Sequence, residues 1–456
     1  MAPQDQEFVI AGAGIAGMTL ALLLHRMGRP VLLLERRTQD AFLSEESRSI
    51  NFTLTARGLT ALRRLGLQDR ALNSAVRLRR RVVHDRFGAI ATQRYGSQDT
   101  HAIYSIRRKA LLEMLYEAIR GIPGISIIHD APVETIDCHS GMLTYSCGEQ
   151  RQTIRAGTIV AADGAFSRVR SSFVQQTSAH CHLTDFPSRY LELHGGRDFV
   201  AKLGLPLDAL HVWPGHQALL VGIPNPDATI ALMFVSEDLQ GYNRERFAQI
   251  FASHFPRVPI TADMASQLKA APLGRLASGE LSRWHHESRV VFVGDACHPV
   301  LPFYGQGMNA ALEDCFVLSD LIGSETSRAQ AFTLYEARRK PQTDALAVLS
   351  RSHFSNLQRG ALSARWQAST FMDLWLARLT RGSWFYEYEK VAHTNLPYDS
   401  IVARLARQRS IKRRSGLLLV ELGLAFAISL LRQLRLQLWT LRRSSSRATT
   451  SVPSPR

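Results

Sequence analysis

The chain opens with short unbroken apolar runs separated by helical spacing. Residues 8–11 (FVIA) and 31–34 (VLLL) are apolar throughout, and between them Leu20, Leu22, Leu23 and Leu24 recur as on a buried helix. Runs of that length without polar alternation read as strands of a parallel sheet covered on both faces. Further runs at 158–161 (TIVA) and 290–293 (VVFV) belong to the same class, and Leu111, Leu112, Met114 and Leu115 mark another helix. From about residue 190 to 235 the pattern becomes alternating and β-rich, broken by Pro214-Gly215 and Asn225-Pro226-Asp227, which predicts an antiparallel sheet. Helical spacing then resumes at Met308, Ala310, Ala311, Leu312, Phe316 and Val317 and continues to about Leu379. The periods together predict an α/β fold in which a Rossmann-like domain is interleaved with an antiparallel sheet and followed by helices.

Two glycine-rich junctions carry candidate chemistry. After the first run comes Gly12-Ala13-Gly14-Ile15-Ala16-Gly17, and the second run ends at Glu35. A lone GxGxxG is weak, but strand, helix and terminal acid supply the context of a dinucleotide fingerprint: glycines for the tight turn and the close approach of a pyrophosphate, an acid for ribose hydroxyls. It occurs once, so a second Rossmann unit for a nicotinamide is not visible. The other junction, residues 294–314 (GDACHPVLPFYGQGMNAALED), places Asp295 where an apolar strand ends. Pro299, Pro302, Gly305 and Gly307 forbid regular structure before the next helix starts, and its free N–H groups suit an anion or an electron-rich ring. Taken alone, Gly-Asp-Ala is an ordinary strand-to-helix turn.

Composition narrows the alternatives. The 456 residues are 45% hydrophobic with 30 Gly, as in globular enzymes, and a net charge of +16 comes without the aromatic and basic pattern of RNA-binding modules, so no nucleic-acid partner is expected. The five cysteines form no CxxC pair, which indicates neither disulfides nor a metal site and fits a reducing, cytoplasmic setting. The first apolar run follows Asp5 and Glu7 instead of a basic segment, so it does not read as a signal peptide. Near the C-terminus Lys412-Arg413-Arg414 precede an apolar run over 416–431 that Glu421 interrupts, with Arg432, Arg435, Arg442 and Arg443 beyond. That run is short for a spanning helix, and three readings stay open: association with a membrane surface, a spanning anchor, or docking on the protein itself. Residues 444–456 read as a disordered tail. The sequence does not set the oligomeric state.

The 294–314 stretch resembles the second FAD motif of the flavin aromatic hydroxylases, the para-hydroxybenzoate hydroxylase-like group, and residues 162–170 (ADGAFSRVR) resemble the DG motif of the same flavoproteins. Arg48-Ser49-Ile50-Asn51, followed by Arg57-Gly58, resembles the kynurenine 3-monooxygenase family, and the resemblance extends over about residues 7–400. It implies an FAD-binding domain over 1–178 and 285–340, a substrate domain over 179–284 and pocket-closing helices over 341–411, with the basic apolar helix at 412–443. FAD would then be held by Gly12, Gly14, Ile15, Ala16, Gly17, Glu35, Arg36, Arg108, Asp163, Asp295, Pro302, Gly305, Gly307, Met308 and Asn309. NADPH or NADH and O2 are the implied co-substrates. A small aromatic substrate would be hydroxylated ortho to an amino or hydroxyl group, most simply L-kynurenine.

By themselves, Arg81 and Tyr95 read as part of a surface charge run and a half-buried aromatic, although an Arg and a Tyr on neighbouring strands can also grip a carboxylate. The family has its carboxylate-binding pair in such segments, which assigns that role to Arg81 and Tyr95. The resemblance further implies Leu219, Val221, Met233, Phe303 and Tyr304 as pocket walls and Tyr398, in TNLPY, as a pocket tyrosine. The family also places an Asn on the helix near residue 355, where this chain has Ser355 and, one residue later, Asn356, which is the residue expected in the pocket unless Ser355 serves instead. No side chain is expected to carry the chemistry; His298 reads either as a base or as packing beside the flavin. Alternatives are a hydroxylase of a related carboxylated aromatic or larger biosynthetic intermediate, and a non-catalytic flavin-binding protein at a membrane. The WxWxIP stretch of tryptophan halogenases is absent.

Overall fold

The computed structural model describes residues 5–44, 51–85, 88–215, 217–241, 244–325, 327–360 and 363–448, so Arg48, Ser49 and Ile50 lie outside the described residues. The apolar runs become the parallel centre of an eight-stranded sheet, in which Val290–Phe292, Gln150–Ala161, Asp5–Ala11, Val31–Leu34 and Ile125–Ile128 lie side by side. Phe8, Val9, Ile10, Leu33, Ile159 and Val291 are fully buried. Protein covers both faces of residues 8–11, 31–34, 158–161 and 290–292, which is why those runs show no polar alternation, whereas the first half of Gln150–Ala161 is exposed and polar.

The antiparallel sheet has seven strands in the order Gly274–Leu281, Cys181–Gly195, Ile230–Ser236, Ala218–Pro224, Ala209–Pro214, Arg80–Asp85 and Gly88–Arg94. Its last two strands come from the segment assigned to the first part of the FAD domain, so the substrate sheet is not confined to 179–284. Arg80–Asp85 joins it in parallel to Ala209–Pro214, with Arg81 opposite Leu210. Side chains alternate across this sheet. Leu210, Val212, Leu219, Val221 and Val235 face one cluster, while Trp213, Leu220, Leu232 and Phe234 pack with Phe247 and Phe251 in another. A three-stranded sheet of Asn51–Leu54, Ile103–Arg107 and Ala75–Leu78 links the two domains. There Asn51 donates to Ser105 Oγ at 2.9 Å and to Asn225 Oδ1 at 2.8 Å, which gives the asparagine of the family-like string a place between sheets.

The helical region begins with Gly307–Ser324. The next helix, Arg328–Ser355, runs without interruption through Pro341 and so across the expected boundary at 340. Ala364–Leu379, Glu387–His393, Tyr398–Arg414 and Leu417–Ala448 follow. The last helix extends five residues into the expected tail, and residues 449–456 lie outside the described residues.

Candidate active site

The fingerprint loop has the geometry its glycines predict. Gly12 sits at φ 102°, where a Cβ would lie 2.6 Å from the carbonyl oxygen of Ala162, and a Cβ on Gly17 would lie 2.0 Å from the carbonyl oxygen of Gly12. Both positions exclude a side chain. Gly14, by contrast, faces open space at the start of the Ile15–Arg26 helix, and no side chain caps that helix end. Glu35 is buried at the end of the second strand, where its carboxylate accepts from the Ala13 N–H at 3.1 Å and from Arg37 Nε at 2.8 Å. Burial opposes its ionisation, but the hydrogen bonds and charge of Arg37 outweigh that and hold the carboxyl below its usual range. Ile15 and Ala16 lie in the first turn of the helix, half-buried, and Arg36 is exposed beside Glu35.

Asp295 is accessible although protein surrounds it closely, as on the floor of a deep cleft. Burial pushes its carboxyl up, against the opposing charges of His298 and Arg108. Arg108 is half-buried at the start of the Arg108–Ile119 helix, near enough for its charge to act on Asp295. Asp163 caps the Arg168–Gln176 helix, its Oδ2 accepting from the N–H groups of Arg168 and Val169 at 2.8 and 3.2 Å. Its Oδ1 is buried without a partner among the described residues. Pro302 is exposed, Gly307 and Met308 are half-buried at the helix start, and a Cβ on Gly307 would lie 3.9 Å from Asp295. An open glycine at a helix N-terminus, a carboxylate on an accessible cleft floor, an opposed arginine and an orphan acceptor together fit FAD.

Asn309 works differently from its neighbours. Its amide accepts from the Thr55 N–H at 3.0 Å and donates to the carbonyls of Thr53 and Gly305 at 2.7 and 2.8 Å. It therefore straps the 51–54 strand to the loop and shapes the site through the backbone. His298 is likewise engaged inside the protein, 2.5 Å from Asp314 Oδ2. Asp314 also accepts from the Gly294 N–H and pairs with Arg339 at 2.7 Å, and Arg339 pairs with Glu313 at 2.7 Å, which reaches Arg57 at 3.1 Å. Removing one member of such a buried network costs about 3–5 kcal/mol. These bonds give His298 a packing role behind Asp295.

The residues expected to line a substrate pocket assemble against the seven-stranded sheet. Tyr95, Leu219, Val221 and Phe303 belong to one buried cluster, with Met233 and Tyr388 packed on it. Phe303 stacks on Phe354 with ring centroids 4.2 Å apart, a contact worth about 0.5–1.5 kcal/mol beyond its buried area. Arg81 is 4% exposed, and no carboxylate among the described residues pairs with it. Its guanidinium lies 5.9 and 5.2 Å from the ring centres of Tyr95 and Tyr388, and its Nη2 is 3.1 Å from His353 Nε2. Because arginine only donates, His353 accepts through Nε2 and is neutral; burial, and then the charge of Arg81, hold its pKa well below the usual value. Burial raises the Tyr95 and Tyr388 hydroxyls, with Arg81 opposing, so both remain protonated donors. The Tyr95 hydroxyl and Arg81 Nε are buried without a hydrogen-bond partner of acceptable geometry among the described residues.

Two expected pocket residues stand elsewhere. Tyr398 is buried at the start of its helix, where its hydroxyl is 3.0 Å from Gln306 Oε1 and its ring lies 3.8 Å beneath the Arg57 guanidinium. Tyr388, ten residues earlier, is the tyrosine beside Arg81. On the Arg328–Ser355 helix the residue at Arg81 is His353; Ser355 is exposed and Asn356 begins the π-turn that follows. Since about 100° of rotation separates successive helical residues, His353 and Asn356, three residues apart, do not present the same point of the helix to Arg81. Tyr304 borders the cluster, its ring 4.4 Å from His353 and its hydroxyl donating to Glu387 at 3.0 Å. The sequence signal for Tyr388 was slight, an aromatic and acidic alternation over 385–389 (FYEYE).

Comparison with known proteins supplies the family. An FAD binding domain family model matches residues 5–350. The chain is 36% identical over 425 residues to a kynurenine 3-monooxygenase of Salinispora tropica, covering 90% of this chain and 93% of the relative. It is 29% identical to one of Stenotrophomonas maltophilia, with coverage of 90% and 92%. Among solved structures, p-nitrophenol 4-monooxygenase from Pseudomonas putida aligns with a TM-score of 0.71 at 20% identity, over 86% of this chain and all of that one. The tetrameric form of 2-methyl-3-hydroxypyridine-5-carboxylic acid oxygenase aligns at 0.65 and 21%, over 84% and 99%. At those identities the structures establish the fold alone.

Proposed function

The chain belongs to the kynurenine 3-monooxygenase family of FAD-dependent aromatic monooxygenases, and from that premise we propose that its substrate is L-kynurenine, hydroxylated to 3-hydroxykynurenine with NADPH or NADH as reductant. Family membership sets aside the reading as a non-catalytic flavin binder. The observation that carries the substrate reading is Arg81, a buried cation with no acidic partner among the described residues. An unpaired buried charge is costly, so the site is built to receive an anion. A carboxylate there takes two parallel bonds from the guanidinium and further bonds from the Tyr95 and Tyr388 hydroxyls. His353, as an acceptor, keeps the guanidinium from turning away.

With the carboxylate held, the aromatic ring of the ligand extends along Leu219, Val221, Met233 and Phe303, whose apolar surfaces exclude water. The open side of Gly14, the Gly307 helix start, Asp295 and Arg108 are the groups that would hold FAD. FAD, reduced by the nicotinamide nucleotide, supplies the electrons with which one atom of O2 enters the ring and the other leaves as water. The protein contributes position and dryness.

His353 also favours a second reading. An imidazole, where the family resemblance led to an amide, presents one acceptor to Arg81 and leaves less choice of partner for an α-amino group, which suits a carboxylated aromatic with a different side arm. Anaerobic reduction of the FAD form by NADPH, with and without L-kynurenine, followed by product mass after admission of oxygen, separates the two. Faster reduction and the gain of one oxygen atom are expected for kynurenine. Reduction that ignores kynurenine but responds to another carboxylated aromatic would move the assignment to the second reading.

A further inference from the structure

Next to Tyr95 and Tyr388 along the chain, a second recess is left unused by the proposed reaction. Its volume is about 750 Å³, and it opens between the loop that follows Gly88–Arg94, the end of the Ala364–Leu379 helix and the Glu387–His393 helix. Its charged lining is Arg94, Arg378, Arg381 and Lys390 against Asp99 and Glu389, four cations and two carboxylates, which leaves two positive charges in excess. Both carboxylates are already engaged. Asp99 pairs with Arg94 and lies 3.8 Å from Arg378, while Glu389 lies 3.3 Å from Lys390 and accepts from the Ser97 N–H. No carboxylate among the described residues reaches Arg381, which stands just past the helix end at φ 49°, a left-handed backbone that ordinarily goes to glycine. Cations gather at helix C-termini, and two helices end here, but each end offers only about half a negative charge, so the recess keeps a positive excess. On one wall His101 and His393 stack with ring centroids 4.5 Å apart. Burial holds both imidazoles below their ordinary pKa, His393 at about 4, so at neutral pH they add a flat uncharged surface.

A phosphate group matches this lining. A phosphate monoester carries roughly −1.5 to −2 at neutral pH and offers three strong acceptor oxygens, so it can take bonds from several of these cations at once. A carboxylate brings less charge and fewer acceptors. We propose that the recess is a second ligand site, that it takes a phosphate-bearing anion, either a nucleotide phosphate or inorganic phosphate, and that its occupation tightens the hold on the substrate. The site itself is independent of the substrate assignment, whereas the tightening rests on Arg81, Tyr95 and Tyr388 as the carboxylate clamp. Tyr95 directly follows Arg94, and Tyr388 directly precedes Glu389. The Tyr386 hydroxyl donates to the Arg94 carbonyl at 3.0 Å, so the strand end and the Glu387–His393 helix are already tied. An anion shared between Arg94 on the strand and Lys390 on the helix adds a further tie and fixes the spacing of the two tyrosines. Linkage makes the effect reciprocal, since substrate then tightens the anion by the same factor.

Isothermal titration of the full-length holoenzyme with inorganic phosphate and with adenosine 2′,5′-bisphosphate, at constant ionic strength and without substrate, tests the site. Both should bind. Arg381→Ala with Lys390→Gln should weaken both by on the order of tenfold or more, while turnover at saturating NADPH and substrate stays as in the parent. Arg81→Ala should leave this binding unchanged. No binding, or binding that the Arg81 change removes and the Arg381 and Lys390 changes do not, would overturn the site. Competition with NADPH separates the two sources. If the bisphosphate competes, and the paired changes raise KM for NADPH but not for NADH, the recess takes the phosphate of the reductant; binding without competition assigns it to a free phosphate. Saturating inorganic phosphate should lower the dissociation constant of L-kynurenine, read from the flavin absorption spectrum, by about fivefold or more in the parent and not in the paired variant. An equal dissociation constant with and without phosphate in the parent would overturn the tightening.

Discussion

The two ends of the active site are built on different principles. At the flavin end the fingerprint turn is made of backbone: Gly12 and Gly17 clear the way, Gly14 opens a helix N-terminus, and even Asn309 acts by strapping main chain. Each part lies within a few residues of a strand end, so its spacing along the chain is nearly its spacing in space. At the end proposed to take the substrate carboxylate, the side chains come from four distant segments, Arg81, Tyr95, His353 and Tyr388. A backbone site tolerates only particular local sequences, whereas a side-chain clamp can be assembled from any elements that pack together. The first kind leaves motifs and the second leaves scattered residues.

The largest effect that would break this division is expected for Arg81→Ala. Truncating one partner of a buried charge pair costs roughly 2–5 kcal/mol, so KM for the carboxylated substrate should rise by about 30-fold to over 1,000-fold while bound FAD is unchanged. Unchanged substrate kinetics would remove the clamp. On the flavin side, Asp295→Ala should weaken FAD binding by about ten- to a hundredfold, read by flavin fluorescence on titration of the apoprotein, because a hydrogen bond to a charged group contributes about 1.5–3 kcal/mol. Holoenzyme restored with excess FAD should keep its substrate affinity; a parallel loss would show that the two ends are not separable.

A smaller contrast concerns the tyrosines. Tyr388→Phe should raise KM about three- to tenfold, the value of one hydroxyl bond, while Tyr398→Phe should leave KM alone and lower the melting temperature slightly. The reverse outcome would return the pocket role to Tyr398. Smallest of all is a pH effect confined to the substrate side. Burial pushes His84, His211 and His393 down to about 4, from an unfolded value near 6.5. The unfolded chain therefore binds protons first as pH falls, and the stability these groups confer is present above about 6.5 and lost progressively toward about 4. The melting temperature should fall between about pH 7 and pH 5, and replacing His84 with Gln should reduce that fall.

Sequence alone determined the class of fold, the dinucleotide loop and the Asp295 junction, and the family resemblance singled out Arg81 and Tyr95, which the fold brings together. Buried parallel strands must be apolar throughout, and a pyrophosphate loop must be glycine, so these constraints are written locally. Tertiary structure decided the rest. It drew Arg80–Asp85 and Gly88–Arg94 into the antiparallel sheet, set His353 and Tyr388 beside Arg81, and tied Glu421 inward so that the C-terminal helix presents its apolar face outward. Strand pairing, helix rotation and the direction of an amphipathic face are set by whatever packs opposite, and that partner lies far away along the chain.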